Sequence, residues 1–204
     1  MAEFDAKLVK ELRDKTGAGV MDCKKALGEA AGDLEKAVVW LREKGIAQAA
    51  RRSGRIASEG SVGAYIHAGG KLGVLVEVNC ESDFVAKTPE FQTLVKEVAM
   101  QIAATNPRCV RREELAPEVI HQERQIYASQ SEGKPQQIVD KIVEGKLEKF
   151  FREVCLVEQS YVRDPNRTVS DLVGEYVGKL GEKIEIRRFM RFQLGEGLDG
   201  KGAA

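Results

Sequence analysis

The stretch SVGAYIHAGGKLGVLVEVNCESDFVAKTPEF, Ser61 to Phe91, decides the fold. Val62, Ala64 and Ile66 alternate with other residues as far as Ala68-Gly69-Gly70-Lys71, and Leu72, Val74, Val76 and Val78 then alternate again. Two strands around a glycine turn form a hairpin. The apolar run gives way to Glu81-Ser82-Asp83-Phe84, without the Gly, Pro or Asn-Gly that a tight turn uses. Thr88-Pro89-Glu90 then opens a helix with a cap, a proline whose missing N–H costs nothing there, and an acid that suits the helix dipole. Phe91, Leu94, Val95, Val98 and Ile102 supply its apolar stripe, which stops at Asn106-Pro107.

Towards the C-terminus, helices are expected from Pro117 through Ile120, Glu123, Arg124 and Tyr127, from Pro135 through Val143 to Phe150 and Phe151, and from Thr168 to Leu180 before Gly181. In the last strand Ile184, Ile186, Met190, Phe192 and Leu194 share one parity, broken by Arg188, while Glu185, Arg187 and Arg191 take the other. Such a strand can join the hairpin, giving an α+β domain with a small antiparallel sheet of about three strands packed against helices.

Towards the N-terminus, residues 4 to 45 read as three short helices. Phe4, Leu8 and Leu12 line one face of the first, which stops at Thr16-Gly17-Ala18-Gly19. A second runs from about Met21 to Ala30. Gly32 breaks it, Asp33 caps the third, Leu34, Ala37, Val38 and Leu41 form its stripe, and Gly45 is expected to end it. Such a bundle buries few side chains, and Ile46 to Gly60 reads as a polar connector to something larger. The expected organisation is a helical module with its connector over 1–53, an α+β core domain over 54–197 and a flexible tail over 198–204.

Composition narrows the function. The 204 residues carry 32 basic and 32 acidic side chains, so no net field draws nucleic acid or anionic lipid to the whole chain. The N-terminus lacks a signal-peptide pattern, and no apolar run approaches the roughly 18 residues of a membrane span. A soluble protein that stays where it is made is expected. Cys23, Cys80, Cys109 and Cys155 form no C-x-x-C pair, and His67 and His121 have no paired ligand spacing. Gly70-Lys71 and Gly178-Lys179 are each followed by leucine, so neither is a phosphate-binding loop with its hydroxyl for magnesium. G-x-S-x-G and H-E-x-x-H are absent too. Neither enzymatic machinery nor a cofactor is expected.

Recognition residues are easier to find. The arginines at 51, 52 and 55, and at 108, 111 and 112, fit a solvated connector better than a phosphate site. Trp40 lies off the centre of its stripe and suits partial burial. Val20 and Met21 follow a glycine hinge, with Lys24 one turn on. They fit bundle core with a surface lysine as readily as a partner face. Phe84, beside Asp83 between strand and helix, fits a core residue or an exposed recognition residue.

Two stretches, LRDKTGAGVMDCKKAL (Leu12 to Leu27) and VEVNCESDFVAK (Val76 to Lys87), resemble the signature stretches of the translation elongation factor Ts family. The resemblance continues through EGKLEKFFREVCLVEQSYVRD (Glu144 to Asp164) and KIEIRRFMRFQLGEG (Lys183 to Gly197), so it covers nearly the whole chain. It implies a cytoplasmic guanine-nucleotide exchange factor for elongation factor Tu, acting by binding and without covalent chemistry. It also implies an N-terminal module similar to ubiquitin-associated (UBA-like) bundles, docking on the partner's nucleotide domain through Arg13, Val20, Met21 and Lys24. The family loop written T-D-F-V in many members is Ser82-Asp83-Phe84-Val85 here, serine keeping the hydroxyl and losing a methyl. Asp83 and Phe84 would approach the magnesium and nucleotide side of the partner, Phe84 entering a pocket lined by histidines.

The chain resembles the short class, without a second core subdomain or a long helical hairpin. For that class the family implies a homodimer through the sheet-bearing domain and a two-plus-two complex, with no nucleic acid or membrane bound directly. A UBA-like adaptor without exchange activity is the alternative, and it leaves Asp83 and Phe84 unexplained. A third reading, an enzyme using Cys80 and His67, is tested by replacing Cys80 with serine and asking whether any activity disappears.

Overall fold

The computed structural model describes residues 5–131, 133 and 135–197. Phe4 of the first stripe and the tail 198–204 lie outside the described residues. In chain order the elements are α1 (Ala6–Thr16), α2 (Val20–Glu29), α3 (Leu34–Arg52), β1 (Glu59–Ile66), β2 (Leu72–Cys80), α4 (Asp83–Ala86), α5 (Pro89–Thr105), α6 (Pro117–Ser129), α7 (Gln136–Val154), β3 (Ser160–Tyr161), β4 (Asp164–Thr168), α8 (Val169–Leu180) and β5 (Ile184–Gln193). Single 3-10 turns occupy Arg112–Glu114 and Leu156–Glu158. The fold is α+β, with a three-stranded antiparallel sheet ordered β1-β2-β5. The central strand is the one whose alternating valines, Val74, Val76 and Val78, are all buried. A separate antiparallel ribbon pairs β3 with β4.

Chain contacts form two compact units, neither continuous in sequence. The first takes the residues up to Gly63, Glu77–Glu97 and Ser170–Ile186. Its N-terminal helices start and stop on identifiable signals. Asp5 accepts the Lys7 amide at 3.0 Å to cap α1, and Gly17, at φ 65°, closes that helix with its N–H on the Arg13 carbonyl at 2.7 Å. Asp33 accepts the Lys36 amide at 3.0 Å and starts α3, as expected. Leu12, Cys23, Ala26, Leu27 and Ala37 form the fully buried centre, with Leu8, Leu34, Val38, Trp40 and Leu41 packed against it.

Two expectations change here. Gly45 does not end α3, which runs on to Arg52, so the segment read as a connector is helical over residues 46–52. The reason is tertiary. Gly45 is buried, and a Cβ placed on it would lie 2.7 Å from the Gly174 carbonyl oxygen of α8. One on Gly178 would lie 3.2 Å from the Gly45 Cα. The two helix backbones touch where glycine leaves room, and an ion pair between Arg42 and Asp171 at 2.5 Å ties the same helices together. Gly60, at φ 141°, permits a similar approach, since a Cβ there would meet the Val78 carbonyl oxygen at 2.1 Å.

The second unit takes Ala64–Val76, Val98–Val169 and the residues from Arg187 onward. Val139, Val143, Leu147, Phe150 and Phe151 of α7 pack with Cys109 and Cys155, and Val119, Ile120 and Tyr127 of α6 cover this cluster. Buried Gln101 on α5 joins the ribbon: its amide donates to Ser160 O at 3.1 Å and to Gln159 Oε1 at 3.3 Å, and its oxygen accepts the Val162 N–H at 2.9 Å. Every hydrogen-bonding atom of its amide group has a partner, as burial demands. Cys109 and Cys155, 46 residues apart, sit on an isolated parallel bridge with their Sγ atoms 3.7 Å apart.

Candidate recognition surface

Strand β2 delivers the chain to a single helical turn. At its end Cys80 is buried, its Sγ 3.2 Å from the Ser82 carbonyl oxygen. Ser82 has extended backbone angles and caps α4, its Oγ accepting the Val85 N–H at 3.3 Å. The expected loop is therefore a capped turn. Val85 and Ala86 face inward, 7% and 4% exposed, whereas Asp83 and Phe84 face solvent. A second cap follows immediately: the Thr88 hydroxyl donates to the Val85 carbonyl at 2.7 Å and accepts the Phe91 N–H at 3.3 Å. The turn is held at both ends.

Phe84 is 82% exposed, so it is not a core residue. Leaving such a ring in water forgoes roughly 1.5–3 kcal/mol that burial would supply. Asp83 pairs with Lys87 one turn on, raising the lysine's pKa above its ordinary value. Both partners are mostly exposed, so a competing cation can open the pair at little cost. Val85, placed by resemblance among the contact residues, anchors the turn from below.

Behind the turn lies a constellation that sequence reasoning missed. The Glu182 carboxylate accepts the Glu81 N–H at 3.1 Å, the Ser82 N–H at 3.0 Å and the Ser82 hydroxyl at 2.6 Å. In return the Glu81 carboxylate accepts the Lys183 N–H at 2.6 Å and the Arg55 guanidinium at 3.2 Å. The Lys183 N–H, then Arg55, hold the Glu81 carboxyl below its usual pKa. Two acids about a hundred positions apart carry no periodic signal that would pair them.

The second group of expected contact residues lies in the same unit. Arg13 is exposed near the end of α1; on the first turns of α2, Val20 and Met21 are 44% and 74% exposed and Lys24 is exposed. Cys23, Ala26 and Leu27 take the inward positions, so Val20 and Met21 form an outer face.

The family described as Elongation factor TS matches residues 7–196 of this chain. The chain belongs to the elongation factor Ts family. Elongation factor Ts of Thermoanaerobacter sp. (strain X514) is 61% identical over 198 residues, covering 96% of this chain and 97% of that protein. The protein of the same name from Desulforamulus reducens is 56% identical over 201 residues, 98% of this chain and 93% of its own. That of Caldanaerobacter subterraneus subsp. tengcongensis is 59% identical over 198 residues, with 96% and 99% covered. The stretches Leu12 to Leu27 and Val76 to Lys87, and the exposed residues they carry, fall inside the matched span.

Other features of the chain are absorbed by its own structure. Arg55 meets Glu81, Arg52 reaches Gln48 at 3.2 Å, and Arg112 is clamped between Glu148 and Glu158. Trp40 is half-buried, with Lys44 5.3 Å and Lys25 5.9 Å from its ring centre. Burial, then the Glu182 charge, push the Cys80 thiol up to about 11, the reverse of what an activated nucleophile needs. His67 is exposed, its Nδ1 2.9 Å from the Tyr65 hydroxyl. Among the described residues no three His, Cys, Asp or Glu side chains gather as metal ligands, and no helix is long and apolar enough to cross a membrane.

Proposed function

We propose that the protein is a cytoplasmic guanine-nucleotide exchange factor that binds the GDP form of elongation factor Tu and promotes GDP release. The observation that carries this reading is Phe84, 82% exposed on a turn capped at both ends and presented with Asp83 by a chain of this family. A rigid mount lowers the ordering cost of inserting the ring into a partner. The helical module, residues 1–53, docks first through Arg13, Val20, Met21 and Lys24. Ser82 and Val85 hold the turn while Asp83 and Phe84 reach the magnesium and phosphate-loop side of the partner.

GDP there is held by magnesium and by backbone amides, and magnesium tolerates little departure from octahedral geometry. The Phe84 ring finds its pocket only when that site is distorted, so its burial favours the conformation that holds GDP weakly. By reciprocity, GTP binding weakens the exchange factor's hold and ejects it. The core, residues 54–197, pairs with a second copy to give a two-plus-two complex. Support comes from the second unit, where Ile66, Leu75, Phe192 and Leu194 border one groove of about 600 Å³ and are 48% to 74% exposed. Contiguous exposed apolar surface of this kind marks interfaces.

The test is release of fluorescent GDP from purified elongation factor Tu with catalytic amounts of the protein. Acceleration, lost in Phe84→Ala, is expected. No acceleration, or acceleration untouched by Phe84→Ala, overturns the reading.

A further inference from the structure

We infer that Glu182 is a positioning residue for exchange, its carboxylate setting the direction in which Asp83 and Phe84 leave the protein. The inference rests on the function proposed above and adds a residue on neither signature stretch. Glu182 closes three hydrogen bonds on Glu81 and Ser82, the two residues on which the turn pivots. The Ser82 hydroxyl has one proton. Donating it to Glu182 at 2.6 Å leaves the oxygen lone pairs for the Val85 N–H at 3.3 Å, so one carboxylate orients the cap and thereby α4. The Lys183 N–H on the Glu81 carboxylate closes the reciprocal bond, and the two chain segments grip each other from both sides.

The grip also has a root. Glu182 follows Gly181, where α8 ends, and α8 touches α3 through Gly45, Gly174 and Gly178. Glu182 thus connects the Phe84 turn to the helical module that carries Arg13, Val20, Met21 and Lys24, all within the first unit. Docking by one group of residues aims the other only if this connection is stiff. A displacement of about 1 Å at a reacting or inserting group can change a rate by about 100-fold.

Glu182→Gln is the test. Glutamine offers one accepting oxygen where two are used, and its amide N–H₂ faces the Ser82 hydroxyl, reversing that bond. We expect hydrogen-exchange protection of the Val85 amide, which bonds the reoriented Ser82 hydroxyl, to fall while protection within α3 and α8 is kept. The maximal rate of GDP release should drop by about 10-fold, with the half-saturating concentration changed far less, since the docking residues are untouched. The same substitution in a Phe84→Leu background should cost less than about 3-fold, because Glu182 acts through the direction of that side chain. Equal factors in the two backgrounds overturn the inference and make Glu182 merely structural. An unchanged rate in Glu182→Gln, with Phe84→Ala still inactive, overturns it while leaving the proposed function standing. Absence of acceleration by the unaltered protein overturns both.

Discussion

Phe84 and Val85 are neighbours with opposite tasks, and the capped turn separates them. Because Phe84 touches little of its own chain, Phe84→Ala should leave the unfolding free energy from urea titration within about 0.5 kcal/mol of the unaltered protein while abolishing exchange. A large loss of stability would mean that the ring is part of the core. The thiols give a second residue-level expectation. Burial, with Cys109 as hydrogen-bond partner, pushes the Cys155 thiol up to about 12, and Cys80 reaches about 11. In the unfolded chain a thiol ionises near about 8.5, so above that pH the unfolded state releases protons that the folded state keeps. Stability should therefore be insensitive to these thiols below about pH 8 and fall as pH rises towards 12, which urea titrations at pH 7.5, 9 and 10.5 measure. In Cys155→Ala the fall should be shallower.

Helix α3 shows where reading glycine as punctuation goes astray. A glycine after an apolar stripe is a common helix end, and the small polar residues beyond it reinforce that reading. Gly45 instead marks where another backbone passes, and only the fold reveals the Gly174 carbonyl opposite. Propensity alone would make Gly45→Ala stabilising by about 1 kcal/mol. The 2.7 Å approach makes it destabilising, by about 1–3 kcal/mol, through forced separation of α3 and α8. Thermal or urea denaturation decides the sign. By contrast α5 was fully legible: its Thr88-Pro89-Glu90 start, its buried stripe from Phe91 to Ile102 and its end at Asn106 are local signals. The turn α4 was not legible: it reads as a loop, because four residues are too few for a period to declare a helix, and its serine cap emerged only in the fold.

The whole chain combines an exposed Phe84 turn in one compact unit with an apolar groove in the other. Phe192→Glu should convert the proposed dimer to a monomer in sedimentation that still unfolds cooperatively, because Phe192 is 63% exposed in the single chain, with a thermal midpoint that no longer rises with protein concentration. A dimer that survives this change would place the interface elsewhere.

Apolar periodicity, caps and breakers set the helices and strands, because each is encoded within a few residues of where it acts. Two short stretches likewise marked the residues of the candidate recognition surface. Their exposure, the paired thiols, the Gly45–Gly174 approach and the grip of Glu182 on Ser82 depend on segments brought together from 46 to about 130 positions apart. Such contacts have no period and no fixed spacing; they exist because buried backbone and polar groups must find partners wherever the packed chain supplies them.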